Sequence, residues 1–346
     1  VNVPMNLYRR NQILVFITLL VDPMRILVTG FEPFGDSMTN SSMLVVQKLM
    51  NHRFSSASNF EFRILPVSES GAKYAKLKIE SGEKFDLVFH LGLCVSCTQV
   101  RIETCARNWI DMRIPDNEGR QIRSHPIDDH GTVYSEIPFN RVFEQVKNLE
   151  ESIDAGSFVC NETYRHTLLS LEHSAYRKNC VFVHLPPEYV IPIDELVDTT
   201  IQILSSIIDS LKVESIPVAA LALKSEEDEM FAALRVEHSI SGWEFPGGKL
   251  EADESVQDAL QRECVEELNL KIVPEKTLGR WDYEINGRWY ALFLTSATAT
   301  NEAIDHIKLF EHAEYKWIPI DELLETNWMP HDRDLARYLT RIMPNF

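Results

Sequence analysis

Residues 243–270 read WEFPGGKLEADESVQDALQRECVEELNL and place seven carboxylates after a pair of glycines. A surface helix carries its acids opposite its apolar residues, so the face on which these acids fall decides what the segment is for. At 100° per residue, Val256, Ala259, Leu260, Glu263 and Glu267 share one stripe with Glu266 at its margin, while Asp258, Gln261 and Arg262 lie opposite. The stripe that buries apolar groups in its first turns becomes acidic in its last. Inward carboxylates crowded at i, i+3 and i+4 repel one another and are costly to desolvate unless cations neutralise them. Hard oxygen ligands of this kind suit Mg2+ or Mn2+.

Outward from this helix the chain divides in two. After VES an apolar run, IPVAALALK, opens a second unit, which sets domains at 24–212 and 217–346 with a linker at 213–216. Short β-branched runs (MRILVTGFEPFG, FEFRILPV, FDLVFHLGL, NCVFVHLP) alternate with helical stretches through the first unit, which predicts an open twisted α/β sheet with helices on both faces. The stretch 193–212 has helical periodicity, acids in its first turn and Lys212 at its end, and reads as that domain's last helix. Residues 1–23 hold two arginines before an apolar run at Ile13–Leu20, too short to span a bilayer and without a small-residue cleavage site; they read as an upstream extension, with a signal peptide as the alternative.

At 346 residues the chain can bury two cores, and its net charge of −18 argues against nucleic-acid polymers and anionic membranes as partners. Six cysteines in so long a chain are not a secreted disulfide framework, which makes a cytoplasmic setting the expectation. CVSC at Cys94–Cys97 has redox or half-zinc spacing, but no second pair follows, and two buried thiols are expected.

The acidic helix resembles the Nudix box: a Gly, five residues, a Glu, seven residues, then Arg-Glu-apolar-x-Glu-Glu-x-Gly-apolar. Gly248, Glu254, Arg262, Glu263, Cys264, Glu266, Glu267 and Leu270 carry it, and Asn269 replaces the last Gly, the next-best residue for a left-handed helix end. The preceding WEFPGGK is similar to the MutT-like nucleoside-triphosphate branch. The resemblance implies an α/β/α sandwich that hydrolyses a small-molecule nucleotide to the monophosphate and pyrophosphate with Mg2+ or Mn2+. It implies Gly248, Glu263, Glu266 and Glu267 at the metal, Glu263 also as general base, and Arg262 orienting the glutamates. Glu311 stands where that branch carries a further metal-binding Glu, or is a solvated loop acid. Asp332, opening the closing helix, reaches the nucleobase edge or else caps the helix. A carboxylate there would accept from donors on cytosine or on guanine and its 8-oxo form, giving an 8-oxo-dGTP or CTP type of substrate over UTP and dTTP.

In the first domain, Cys160 in DAGSFVCNETYRHTLLSL follows a strand and opens a helix, where the N-terminal field supports negative charge. His184 ends the strand CVFVH, at the sheet edge where α/β folds place ligands. Together with TGFEPFG and RIPDNEG these stretches resemble pyroglutamyl peptidase I, the pyrrolidone-carboxylate peptidases. Ala155, Gly156, Val159, Cys160 and Asn161 match the nucleophile stretch, His184 follows at the family's spacing, and Glu103, Ala106 and Asn108 match the third element. The resemblance implies attack by Cys160 on the amide after an N-terminal pyroglutamate, with His184 as general base then acid and Glu103 orienting it, and no cofactor. It implies Phe31 and Phe34 on the lactam ring and Arg113 stabilising oxyanion charge in a pyroglutamyl peptide. The family's Gly-Gly-Arg before the glutamate is replaced by VSC, so Cys97 stands where Arg is usual. The expectation is therefore a bifunctional hydrolase. The alternative keeps only the nucleotide chemistry and makes the first domain a scaffold or interaction module.

Overall fold

The computed structural model describes residues 23–53, 59–173, 177–237 and 240–343. The apolar run at Ile13–Leu20 lies outside them. No helix among the described residues is long and apolar enough to cross a membrane.

The first domain runs β1 (Arg25–Phe31), α1 (Ser41–Met50), β2 (Asn59–Leu65), α2 (Glu69–Ala72), α3 (Tyr74–Glu80), β3 (Leu87–Leu93), β4 (Val100–Glu103), β5 (Cys105–Ala106), β6 (Val133–Tyr134), α4 (Phe139–Gln145), β7 (Leu149–Ser152), α5 (Val159–His173), β8 (Cys180–Leu185) and α6 (Ile193–Lys212). Its six-stranded sheet has the order β2-β1-β3-β8-β4-β7. Neighbours run parallel except β4, which lies antiparallel to β8. β1, β3 and β8 are almost wholly buried, and for that reason they read as continuous apolar runs without alternation. Two cores cover the two faces: α1, α4 and α6 pack on one, and α2, α3 and α5 on the other.

The second domain comprises β9 (Ser215–Leu223), β10 (Glu229–Glu237), β11 (Ile240–Glu244), α7 (Val256–Leu268), β12 (Val273–Ile285), β13 (Arg288–Thr298), α8 (Asn301–Asp305), β14 (Glu314–Pro319) and α9 (Asp332–Ile342). Its sheets are β11-β10-β14 and β12-β13-β9. They are sandwiched by α7 on one side, through Leu260, Cys264 and Leu268, and α9 on the other, through Leu335, Leu339 and Ile342.

The domains share a boundary. Asn140 donates from Nδ2 to the Asp282 carbonyl (2.8 Å) and accepts from its N–H (3.2 Å). Arg341 donates to the Glu151 carbonyl (2.9 Å) and pairs with its carboxylate. Cys105 and Tyr134 of the first domain are buried in the same apolar cluster as Leu278, Trp281 and Tyr338 of the second.

Two expectations need correction. Cys94 and Cys97 are joined in a disulfide, with Cα atoms 5.3 Å apart. The cause is a tight turn in which the Cys97 N–H donates to the Cys94 carbonyl (3.2 Å), bringing the two thiols together. On α7 the buried stripe runs through Ala259, Leu260, Cys264, Glu267 and Leu268, so Glu267 turns inward as expected, whereas Glu263 is only half-buried and Cys264 joins the stripe. Arg262, placed on the opposite face by the helical wheel, is half-buried. Its long side chain folds back over the helix start, a reach that a wheel of Cβ directions omits.

Leu91, fully buried in the middle of β3, tests the core. Leu91→Ala should lower stability by about 2–5 kcal/mol, measured as the shift in the first urea unfolding transition.

Candidate active sites

The antiparallel pairing of β4 with β8 sets Arg101 opposite His184 and Glu103 opposite Phe182, which makes Glu103 the diagonal neighbour of His184. There the His184 Nδ1 lies 2.8 Å from the Glu103 Oε1. Both side chains are buried, Glu103 completely. Its other oxygen, Oε2, is buried without a hydrogen-bond partner. Burial acts to lower the His184 basicity, but hydrogen bonds to Cys160 and Glu103 outweigh it and raise the ring to about 9. The imidazole is thus held between a thiol and a carboxylate, in the order a nucleophile, its base and the orienting acid require.

Cys160 is the second residue of α5, entered through Gly156 in a left-handed conformation (φ +85°). Asn161 is fully buried and fixes the loop beside it: its Nδ2 donates to the Arg107 and Trp109 carbonyls (both 2.9 Å) and its Oδ1 accepts from the Arg107 N–H (3.0 Å). Gly92, which pairs with His184 across β3 and β8, makes room for the sulfur. A Cβ on Gly92 would stand 3.1 Å from Cys160 Sγ and 2.7 Å from the Phe182 ring. Sequence reasoning missed Gly92; its signal was a lone glycine inside the buried strand LVFHLGL.

Phe31 packs against Phe182 (ring centroids 6.4 Å) and Phe34 against Phe158 (5.7 Å). Phe158 lies two residues before the nucleophile and was also missed. Arg113 is exposed, and among the described residues no hydrogen bond or ion pair from its guanidinium ties it to the trio.

In the second domain two guanidinium groups share out the acids. Arg262 donates to Glu254 through Nε and NH2 (2.9 Å each), to Glu263 (2.8 Å) and Glu266 (3.1 Å) through NH1, and to the Lys249 carbonyl (3.0 Å). That uses every donor a guanidinium has. Arg235, a single cation in the apolar strand MFAALRV and missed in the sequence, bonds Glu244 (2.7 and 2.8 Å) and pairs with Glu267 (3.5 Å) and Glu311 (4.0 Å). His312 Nε2 meets Glu244 at 2.8 Å.

Glu267 is buried, and burial pushes its carboxyl up to about 7 despite His312 and Arg235 nearby. Its Oε2 has no hydrogen-bond partner. Glu263 is half-buried and lies against Gly248, where any Cβ would collide with its carboxylate, whereas Glu266 and Glu311 are exposed. The only ligand atom of Gly248, its carbonyl oxygen, already accepts from the Ala219 N–H (2.8 Å). The helix closes on Asn269 in the left-handed conformation (φ +53°). Among the described residues no three His, Cys, Asp or Glu side chains converge as a preformed metal set, because the two arginines hold them apart. The donor chemistry nevertheless fits a hard divalent cation: carboxylate oxygens only, one of them buried and orphaned.

Asp332 departs from the capping reading. It opens α9 but makes no cap there; His331 is the N-cap residue, without a side-chain hydrogen bond. Its Oδ1 instead accepts from the Phe245 N–H (2.9 Å), beside the acidic cluster. Burial pushes its carboxyl up to about 8. Burial thus favours its neutral form, which both donates and accepts, over the acceptor-only carboxylate.

Comparison with known proteins follows this division. The pyroglutamyl peptidase family matches residues 24–226, and the NUDIX domain matches residues 215–339. The pyrrolidone-carboxylate peptidase of Pyrococcus furiosus is 36% identical over 182 residues, covering 49% of this chain and 84% of that protein. That of Treponema denticola is 32% identical over 185 residues, covering 49% and 82%. A solved variant of the P. furiosus enzyme superposes with a TM-score of 0.50 at 26% identity, spanning 54% of this chain and all of that one. An α/β peptidase-type domain is thus followed by a NUDIX domain. The chain belongs to the pyroglutamyl peptidase family and carries the NUDIX domain at its C-terminal end.

Two outcomes test the first site. Gly92→Ala should cut the rate of Cys160 alkylation by at least about tenfold, by pressing on the sulfur and on Phe182. Because the folded His184 value lies above the ordinary 6.5, its stabilising charge is present in full below 6.5 and lost as pH rises through about 9. The advantage of the native protein over Glu103→Gln in urea should therefore shrink between about pH 7 and about pH 10, and a constant difference would dissociate His184 from Glu103.

Proposed function

We propose that the chain is a bifunctional hydrolase: a cysteine peptidase that removes N-terminal pyroglutamate from peptides, joined to a nucleoside triphosphate pyrophosphohydrolase. The observation that supports the first activity best is the buried His184–Glu103 pair beside Cys160. The Cys160 sulfur attacks the carbonyl carbon of the pyroglutamyl amide, and His184 passes a proton to the leaving amine. Water, deprotonated by His184, then releases pyroglutamate and restores the thiol. Glu103 holds the ring orientation through Nδ1, leaving Nε2 for the exchange. Phe31 and Phe34 line the lactam side.

In the second domain Glu263, Glu266 and Glu267, with Glu311 from its loop, would hold Mg2+ or Mn2+. Such an ion supplies charge screening of the polyphosphate and an acidified water. Glu263, pressed on Gly248 and directed by Arg262, would serve as the general base in this reading. Arg235 holds Glu267 and Glu311 on the facing side. Asp332, as a neutral acid, pairs with any base edge offering a donor and an acceptor side by side. Selection against uracil and thymine therefore does not follow from it, and the substrate proposed is a nucleoside triphosphate of unassigned base. A cytoplasmic setting belongs to the same reading.

One observation favours the scaffold reading of the first domain: Arg113 is exposed and Cys97 replaces the family's arginine. Cleavage of a pyroglutamyl chromogenic amide separates the two, since Cys160→Ala should abolish it and spare nucleotide hydrolysis. Absence of cleavage by the unmodified protein would leave the scaffold reading standing. Glu266→Gln and Glu267→Gln should each lower pyrophosphate release by orders of magnitude and leave the peptidase unchanged. Asp332→Asn, which keeps one donor and one acceptor, should retain the native ranking of nucleotides, whereas Asp332→Ala should flatten it. Equal rankings in all three proteins would remove Asp332 from base recognition.

A further inference from the structure

The Cys94–Cys97 disulfide closes the connection between two elements of the peptidase site. Two residues before it, Gly92 touches the space of the Cys160 sulfur; six residues after it, Glu103 binds His184. The Cys94 N–H donates to the carbonyl of Leu185, the neighbour of His184 (2.9 Å). Through this hydrogen bond the closed turn continues the β3–β8 ladder at its end, beside the nucleophile and its base. Its two sulfurs are unequal. Cys97 is buried at 2% exposure, while Cys94 is more accessible and is followed by the exposed Val95 and Ser96. A disulfide of sequence separation 3 closes a short loop, and long loops are where disulfides gain most of their stabilising effect. Its placement suits exchange better than stapling.

We propose that Cys94–Cys97 is a thiol–disulfide exchange site for a dithiol reductant, and that its redox state sets the reactivity of Cys160. One thiolate of the reductant attacks the accessible Cys94 sulfur; the S–S bond breaks and Cys97 leaves as a thiolate that takes up a proton. The reductant's second thiolate attacks the mixed disulfide, freeing Cys94 as a thiol and closing the reductant into its own disulfide. Two electrons pass to the protein. With the turn opened, the Cys94–Leu185 hydrogen bond loses the closed turn behind it, and the ends of β3 and β8 that flank Cys160 are held less firmly.

The proposal rests on the peptidase reading only for its biological consequence, so its test reads sulfur chemistry. Full-length protein purified without reductant is labelled with iodoacetamide and mapped by mass spectrometry, before and after reduction with dithiothreitol and its removal. Cys160 should label in both states, and Cys94 and Cys97 only after reduction. The Cys160 labelling rate should fall by at least about threefold on reduction. The double variant Cys94→Ser/Cys97→Ser should show the slow rate whether or not dithiothreitol is applied. Labelling of Cys94 and Cys97 before reduction, an unchanged Cys160 rate with both thiols free, or a variant that still responds would each overturn it. Should the variant fail to fold, the two states of the native protein decide alone. Loss of pyroglutamyl cleavage in both states, with the labelling response intact, would defeat the peptidase reading and leave this one.

Discussion

A carboxylate with no water and one histidine for company is the constraint on which the first domain turns. Glu103 is fully buried, and only its Oε1 finds a partner, at 2.8 Å on the His184 ring. Such a group is tolerated when a neighbouring cation compensates for its lost hydration, and the same attraction keeps the imidazole protonated. Glu103 stands opposite Phe182 on β8 and reaches His184 as its diagonal neighbour across the strand pair. The surrounding elements, from Gly92 to the Asn161 anchor, keep space and backbone in place around this pair.

The second domain solves the opposite problem, an excess of acids, by a division of labour between two arginines. Arg262 binds the acids of the helix and of its entry loop, and Arg235 those that reach it from β11, the end of α7 and the Glu311 loop. Six carboxylates share these two cations, and Glu267 keeps a buried oxygen unpaired. A divalent ion entering here would compete with guanidinium groups, which pair with carboxylates through directional hydrogen bonds and can be displaced without breaking the fold.

Much of this was legible in the sequence because it rests on local pattern. Buried strands read as uninterrupted apolar runs, and α7 announced itself by periodicity and by Asn269 at its end. Cys160, His184 and Glu103 could be named together through their resemblance to the pyroglutamyl peptidases. What escaped depended on contacts between distant segments. Gly92 matters because β3 passes next to α5, and Arg235 because β10 faces the end of α7. The burial of Asp332 escaped as well, since it comes from packing of α9 against the strands, which no local window contains. The disulfide escaped for a different reason, as CxxC spacing alone does not distinguish a bond from two thiols.

The shared apolar cluster at the domain boundary has a consequence for how the chain can be divided. Cys105 and Tyr134 are covered by the side chains of β12 and α9, and Asn140 spends both ends of its amide on Asp282. Severing the chain in the short segment after Lys212 would leave the first half with an uncovered aromatic patch beside β4, the strand that carries Glu103. Such a fragment would be sticky at the surface and loosened near its own chemistry. The two halves are joined by a connection of two residues, yet each contributes to one shared buried cluster.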